Sequence, residues 1–271
     1  MPTHVVLEKS VGETPLDVIR RYKHAYPQYA DTPMTYAGRL DPMASGKLLI
    51  LIGDECKRQA KYHTLDKAYR FEVLFGVGSD TGDVLGLLSF GGAPKVMRSD
   101  LATIAQRLSA RAISLPYPKF SSRTVAGKPL HVWTLEGRLD EIEIPRAHTM
   151  IHRLTLTDLT EHRLDDLYNA AVAKITSLPP VLEPTKALGE DFRRENVLAD
   201  WASFKEEFVG ERFAVATFLC IASSGTYLRS LAAHIGEELG TPALAFSIHR
   251  TKIGRYHRLP FGFGLWTSTY A

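Results

Sequence analysis

The chain has 271 residues, of which 45% are hydrophobic, 23% charged and 10% aromatic, so it is long and apolar enough for a substantial core. Two cysteines, Cys56 and Cys220, are too few for a disulfide framework or a cysteine-rich zinc site. The N-terminus lacks the pattern of a signal peptide, and no apolar run reaches the roughly 20 residues of a membrane span. We therefore expect a soluble cytoplasmic protein without a membrane partner.

The charge is unevenly distributed along the chain. The total of 33 Lys+Arg against 30 Asp+Glu gives a formal net charge of +3. Residues 157–211 hold twelve acidic and six basic side chains, a net charge of −6, so the rest of the chain carries +9. A basic body with one acidic segment fits a polyanion such as RNA on one face, but a scattered, solvated surface would give the same total.

In chain order, the hydrophobic pattern predicts a mixture of strands and helices. Strands are predicted at 5–7, 47–52, 68–77, 149–157, 212–222 and 243–248, and helices at 15–25, 54–64, 100–109, 165–176, 195–208 and 228–239. Thr14 is the predicted cap of the first helix and Ser99 that of the third, while 35–46 and 116–129 are predicted loops. Because strands and helices do not alternate regularly, we expect an α+β fold with a largely antiparallel sheet.

The loop at 36–46 is the most informative stretch, with the sequence Tyr-Ala-Gly-Arg-Leu-Asp-Pro-Met-Ala-Ser-Gly. Its carboxylate, Asp41, lies between glycines just before a buried strand, where flexible backbone would let a substrate approach it. Pro42 fixes the turn that follows. By itself, however, Asp-Pro before a strand is also a common turn without any function.

This loop resembles the catalytic motif of the TruB-type pseudouridine synthases, Gly-His-x-Gly-Thr-Leu-Asp-Pro-x-Ala-x-Gly-x-Leu. The matching positions are Gly38, Leu40, Asp41, Pro42, Ala44, Gly46 and Leu48. Four further blocks resemble family motifs in the same order, at residues 9–15, 66–83, 120–130 and 224–230. Together the blocks span residues 9 to about 240, and this combination is specific to the family.

The resemblance implies the pseudouridine synthase fold, a mixed and mostly antiparallel sheet with flanking helices and a central RNA-binding cleft. It also implies the isomerisation of a uridine in RNA, whose base leaves the sugar at N1, turns and rejoins through C5. This reaction requires no cofactor and no metal, and the sequence offers no Cys/His metal cluster. The default substrate that the resemblance implies is the T-loop uridine of tRNA at position 55.

The resemblance further assigns roles to individual residues. Asp41 is the catalytic carboxylate, either as nucleophile or as the base that removes a sugar proton. Arg229 matches the family's partner for it, while Arg39 is a competitor nearer in sequence. Tyr69 matches the aromatic residue that stacks on the target base, although core packing is the alternative for a residue in an alternating strand. The remaining predicted substrate-binding residues are Tyr227, Tyr36 and Gly38.

Basic residues outside this loop are expected to hold the phosphates of the opened RNA. They are Lys9 and three residues of the acid-free loop 116–129, namely Lys119, Arg123 and Lys128. The histidines belong to no matched catalytic block, so we expect neither a histidine base nor a metal site.

Three features depart from the family pattern. Tyr36 replaces the family His and Arg39 the family Thr, although related pseudouridine synthase families also have Arg-Leu-Asp here. The chain ends soon after Tyr256, so we expect a single catalytic domain over 1–271 without a C-terminal PUA domain. Residues 157–211 exceed the family's usual link, so we expect an acidic helical insertion on the side away from RNA. Its removal would then leave RNA affinity intact or raise it.

Three alternatives stay open at this point. Tyr36 motivates an RNA-binding or tRNA-folding protein that has lost catalysis, and the expected lack of a PUA domain motivates a synthase for another RNA, such as rRNA. A carboxylate hydrolase is weaker, because no motif places a second acid beside Asp41. No obligatory protein partner is predicted, and we expect a monomer.

Overall fold

A computed structural model describes residues 2–180, 191–259 and 263–270. The strands are β1 (His4–Lys9), β2 (Met34–Ala37), β3 (Ala44–Ile52), β4 (Asp66–Phe75), β5 (Val77–Ser79), β6 (Leu88–Phe90), β7 (Arg111–Pro116), β8 (Thr124–Val125), β9 (Lys128–Pro129), β10 (Arg146–Arg163), β11 (Arg212–Ala222), β12 (Ala243–Arg258) and β13 (Gly264–Tyr270). The helices are α1 (Pro15–Ala25), α2 (Ala60–His63), α3 (Arg98–Leu108), α4 (Leu130–Leu135), α5 (Leu164–Ser177), α6 (Arg194–Glu207) and α7 (Leu228–Glu238).

Nine of the described strands form one sheet. The order is β1-β3-β12-β4-β11-β10-β7, with β2 paired to β3 and β13 paired to β12. Only the pairing of β3 with β12 is parallel, which confirms the expected α+β fold with a largely antiparallel sheet. That pairing brings Arg250 against Gly46, where φ is +107° and a Cβ atom would overlap the Arg250 backbone.

The first helix begins where the sequence predicts it. The Thr14 hydroxyl accepts a hydrogen bond from the Asp17 amide at 3.2 Å, and the Asp17 carboxylate accepts one from the Thr14 amide at 2.9 Å. This capping box, followed by a proline, fixes the start of α1. The predicted cap Ser99 is wrong by two positions, because α3 begins at Arg98 with Met97 as its N-cap. Among the described helices, none is long and apolar enough to cross a membrane.

Several strands are longer than the sequence predicts. β2 and β3 occupy both ends of the predicted loop 35–46, and the short β8–β9 hairpin lies inside the predicted loop 116–129. β10 has 18 residues and β12 has 16, and β13 was not predicted at all. The polar second half of β12 hides its strand character, but β13 pairs with it and completes its hydrogen bonds.

The acidic segment 157–211 contains the two predicted helices, α5 and α6, while much of the linker between them lies outside the described residues. Its apolar side chains belong to the main core, where Trp201 and Phe204 are fully buried. The indole of Trp201 donates a hydrogen bond to the carbonyl of Val84 at 3.1 Å. Deleting the segment would therefore remove part of the core, so the expected retention of RNA affinity in a deletion variant does not follow.

Candidate active site

Asp41 lies in the six-residue loop 38–43 that connects β2 to β3. The loop opens at Gly38 with φ at +89°, a conformation that side chains other than glycine rarely adopt. The carbonyl of Asp41 accepts a hydrogen bond from the Ala44 amide at 3.0 Å, which closes the turn around Pro42. The Asp41 side chain keeps 38% of its surface exposed, so its carboxylate can meet a substrate.

Arg229, in the first turn of α7, holds this carboxylate from the protein side. Its Nε donates a hydrogen bond to Oδ2 of Asp41 at 2.8 Å. The other guanidinium nitrogens donate to the carbonyls of Thr81, at 2.8 Å, and Phe120, at 3.3 Å. Because the Arg229 side chain is only 6% exposed and bonded on several sides, it fixes the direction of the Asp41 carboxylate.

A second carboxylate, Asp83, lies 3.6 Å from the same Nε atom of Arg229. It accepts hydrogen bonds from the Thr81 hydroxyl at 2.7 Å and the Leu85 amide at 3.0 Å, and it is almost fully buried. Burial raises the pKa of Asp83, although the charge of Arg229 opposes this effect. Burial alone would lower the pKa of Arg229, but Asp41 and Asp83 outweigh burial and raise it.

The sequence interpretation that no second acid accompanies Asp41 is therefore wrong. The available signal was the matched block Ser-Asp-Thr-Gly-Asp, which ends at Asp83. Asp83 is buried and hydrogen-bonded within the protein. It therefore does not provide the exposed second acid that a two-carboxylate hydrolase requires.

Lys9 is buried beneath the loop 38–43, which we call the catalytic loop because it holds the predicted catalytic residue Asp41. It is fully inaccessible, and its ammonium donates hydrogen bonds to the carbonyls of Ala44 at 2.6 Å, Ser10 at 3.0 Å and Pro42 at 3.4 Å. Burial lowers the pKa of Lys9 to about 8. The predicted contact of Lys9 with the RNA backbone is at odds with this position. Because backbone carbonyls around the loop point into the protein interior, they need a hydrogen-bond donor there, and the Lys9 ammonium provides it.

Arg250 supports the same loop from the other side, and sequence reasoning did not assign it a role. It is 1% exposed, and its Nη atoms donate to the carbonyls of Gly38 at 3.3 Å and Arg39 at 3.2 Å. Its Nε donates to the carbonyl of Lys47 at 2.6 Å. Two buried cations, Lys9 and Arg250, thus hold the backbone on both sides of Asp41.

The three predicted tyrosines lie in different surroundings. Tyr69 is half-buried on β4 and packs against the main core, and burial raises its pKa. Tyr227 precedes α7. Its pKa is raised, mainly by burial and secondly by the negative charge of Asp41. Tyr36 instead packs against the small hydrophobic cluster around Val18 of α1. The structure therefore brings Tyr69 and Tyr227 within the electrostatic influence of Asp41 and places Tyr36 on a separate cluster.

Arg39 is exposed, and its guanidinium donates to the Ser122 hydroxyl at 3.2 Å, so Arg229 rather than Arg39 is the partner of Asp41. In the loop 116–129, Lys119 and Arg123 are exposed, as an RNA contact requires. The ammonium of Lys128 instead forms an ion pair with the carboxylate of Glu136 at 2.6 Å, which reduces its charge toward RNA.

A cavity of about 120 Å³ adjoins Asp41 and Arg229. Its apolar wall consists of Pro42, Leu85, Phe120, Ile175, Leu178, Phe192 and Val197. Arg193 also lines it, with its guanidinium 4.5 Å from the Phe120 ring and hydrogen-bonded to both oxygens of Asp80 at 2.7 and 3.3 Å. Several of these lining residues belong to the acidic segment, so part of that segment lies beside Asp41. The expectation that the whole segment lies on the side away from RNA stays a prediction, and this position counts against it. Across the described ranges, no group of three or more His, Cys, Asp or Glu side chains is arranged to hold a metal ion.

Comparison with known proteins identifies related chains over most of this sequence. The "tRNA pseudouridine synthase B" of Caldicellulosiruptor saccharolyticus is 24% identical over 250 residues, which are 92% of this chain and 67% of that protein. The "tRNA pseudouridine synthase 4" of Saccharomyces cerevisiae is 29% identical over 242 residues, 76% of this chain and 57% of that protein. The chain thus spans roughly two thirds or less of the length of these two relatives.

Among solved structures, the crystal structure of a Cbf5-Nop10-Gar1 complex matches with a TM-score of 0.50 and 14% identity. The match covers 93% of this chain and 48% of that one, and it supports the fold alone. The model of the TruB family pseudouridylate synthase (N terminal domain) matches residues 29–176, more than half of the chain. These residues include Asp41, Tyr69 and Asp83, and the chain belongs to the TruB family of pseudouridylate synthases.

Proposed function

We propose that the protein isomerises a uridine of tRNA to pseudouridine, with Asp41 as the catalytic carboxylate. The observation that carries this proposal is the exposed Asp41 carboxylate held at 2.8 Å by the buried Arg229. Two relatives named as tRNA pseudouridine synthases support the same reaction class. Because they are longer than the matched region, the activity and the substrate are proposed for this chain and not transferred to it.

The reaction breaks the N1–C1′ bond of uridine and forms a C5–C1′ bond, while C5 loses a proton and N1 gains one. No atoms are added or removed overall, so a positioned carboxylate and a pocket in which the base turns suffice for the chemistry. Attack of Asp41 on C1′ and removal of a ribose proton by Asp41 both fit the exposed carboxylate. Arg229 fixes the direction of the Asp41 carboxylate in either route.

The target base must leave its stack to reach Asp41, at a cost of a few kcal/mol. Stacking of the base on an aromatic ring stabilises the complex by ~1–3 kcal/mol. Tyr69 is the proposed stacking residue, and it is half-buried against the main core. The ring face is the part of Tyr69 that we assign to the substrate.

The proposed target is the T-loop uridine of tRNA, position 55, and the exposed Lys119 and Arg123 are the proposed contacts to its phosphates. The intact pair of Asp41 and Arg229 favours catalysis over a role in RNA binding or tRNA folding alone. The Tyr36 replacement, which motivated that alternative, lies on the α1 cluster.

The direct test incubates the protein with an unmodified tRNA transcript and maps pseudouridine by chemical modification and sequencing. We expect a single modified position in the T-loop. The same mapping on total RNA from cells with and without the protein distinguishes a tRNA enzyme from an rRNA enzyme. Absence of pseudouridine in every RNA that the protein binds would contradict the proposal.

A further inference from the structure

A second concave surface lies between α3, the middle of β10 and the end of β12. We call it the α3–β10 groove. It has a volume of about 640 Å³ and shares no lining residue with the cavity beside Asp41. Its polar lining consists of Arg98, Gln106, Ser109, His152, Arg153, Thr155, Tyr256 and Arg258. The proposed reaction uses none of these side chains.

The lining of this groove favours a negatively charged ligand. Three exposed arginines, Arg98, Arg153 and Arg258, lie along it, and none of its lining residues is acidic. Arg98 donates to the carbonyl of Thr157 at 3.3 Å, and Arg153 donates to the Thr155 hydroxyl at 3.2 Å. These bonds engage one nitrogen of each guanidinium, and a guanidinium has five N–H donors in total. The remaining donors suit phosphate oxygens, which arginine can bind through two parallel hydrogen bonds.

One end of the groove is lined by two aromatic side chains, of which Tyr256 is buried and His152 is partly buried. The rings of His152 and Tyr256 lie 5.5 Å apart, and Tyr256 packs against Trp266 at 5.2 Å. Asp66 links β10 to β12, because its carboxylate accepts hydrogen bonds from the His152 ring at 3.0 Å and from the Tyr256 amide at 2.8 Å. Both oxygens of the Asp66 carboxylate, which contacts the groove lining, therefore already accept hydrogen bonds from protein groups.

We propose that the α3–β10 groove binds the phosphate backbone of the RNA substrate outside the stem-loop that enters the active site. The proposal rests on the proposed function, because RNA is the polyanion that the protein then acts on. Charge complementarity favours RNA over a neutral ligand. The volume also exceeds what a single phosphate needs, which favours a nucleotide chain.

The test measures the affinity of the full-length chain for two RNAs: a complete tRNA transcript and the isolated T-arm stem-loop of the same tRNA. The variant Arg153→Glu/Arg258→Glu reverses two charges in the groove. Arg255→Glu is the matched control, since Arg255 is an exposed arginine of the same strand that does not line the groove. We expect the double variant to raise the Kd for tRNA at least ~10-fold and to lower the salt slope by about 2. The Kd for the stem-loop and the Kd of the control variant should change less than about twofold.

Three outcomes would overturn the proposal: an unchanged tRNA affinity, an equal loss for the stem-loop, or an equal loss in Arg255→Glu. If the charge reversal prevents folding, Arg153→Gln/Arg258→Gln gives the same comparison with a smaller expected loss. The binding measurement requires no turnover, so it remains decisive even if the wild-type protein makes no pseudouridine.

Discussion

The Nε atom of Arg229 lies 2.8 Å from Oδ2 of Asp41 and 3.6 Å from Oδ2 of Asp83, so one buried guanidinium serves two carboxylates. The two acids differ in access: 38% of the Asp41 side chain is exposed, against 5% for Asp83. This difference separates their roles. Asp41 can meet the substrate, while Asp83 fixes Arg229 from within the protein.

Replacing Arg229 by Lys should therefore impair chemistry while it preserves charge. A lysine ammonium cannot reproduce the planar set of bonds to Asp41, Thr81 and Phe120. We expect Arg229→Lys to lower the single-turnover rate about 100-fold, equivalent to ~2.7 kcal/mol. The RNA Kd should stay within about threefold, and a rate within a few-fold of the wild type would contradict the assigned role.

Asp83→Asn tests the inner carboxylate. The amide keeps the shape of Asp83 but removes the charge that holds Arg229 and leaves a buried N–H group to satisfy. We expect the rate to fall ~10–100-fold and the free energy of unfolding to fall by ~1–3 kcal/mol in urea denaturation. The exposed residue Asp100 provides the control, because Asp100→Asn should change neither quantity. A fully active Asp83→Asn variant would exclude a positioning role.

Lys9 and Lys119 should give opposite results, because one is buried under the catalytic loop and the other is exposed. Lys9→Met should lower the single-turnover rate about 10-fold with little change in RNA affinity. Lys119→Met should weaken RNA binding about threefold at low salt and leave the saturated rate unchanged. A loss of RNA affinity in Lys9→Met, with the rate intact, would restore the sequence-based assignment of Lys9 to the RNA backbone.

The buried Lys9 also predicts a pH dependence of stability. Its pKa is about 8 in the folded chain against 10.5 when unfolded, so the unfolded chain binds more protons between these values. Stability therefore rises with pH from about 8 to 10.5 through this group, by ~3 kcal/mol at most. We expect the free energy of unfolding of the wild type, relative to Lys9→Met, to increase between pH 7 and pH 10. A difference that is independent of pH would show that the Lys9 pKa is not lowered.

The catalytic loop and its arginine partner were predictable because both lie in short blocks with fixed residue types. Asp41 needs glycine at a positive φ shortly before it, and Arg229 follows a matched turn. The choice of Arg229 over Arg39 as the partner of Asp41 came from the resemblance, since Arg39 is much nearer in sequence. The contacts of the folded chain supply the physical reason for that choice.

Burial of charged residues was the main property that the sequence did not reveal. Lys9 and Arg250 look like surface cations, yet both are buried because they satisfy inward-facing carbonyls of the catalytic loop. Arg250 also lies in β12 just beyond the predicted strand 243–248, where alternation of apolar residues gives no strand signal. The acidic segment was predicted as a surface insertion because of its net charge. Its apolar residues, including Trp201, nevertheless pack in the main core.

The measurement that tests this account most directly compares Asp41→Asn with the wild type on an unmodified tRNA transcript. Asparagine preserves the size of the side chain but provides no carboxylate to act on the sugar. We predict that pseudouridine formation falls at least ~1,000-fold, equivalent to about 4 kcal/mol, while the tRNA Kd stays within about threefold. Pseudouridine formation at a rate close to that of the wild type by a folded Asp41→Asn protein would contradict the assignment of Asp41.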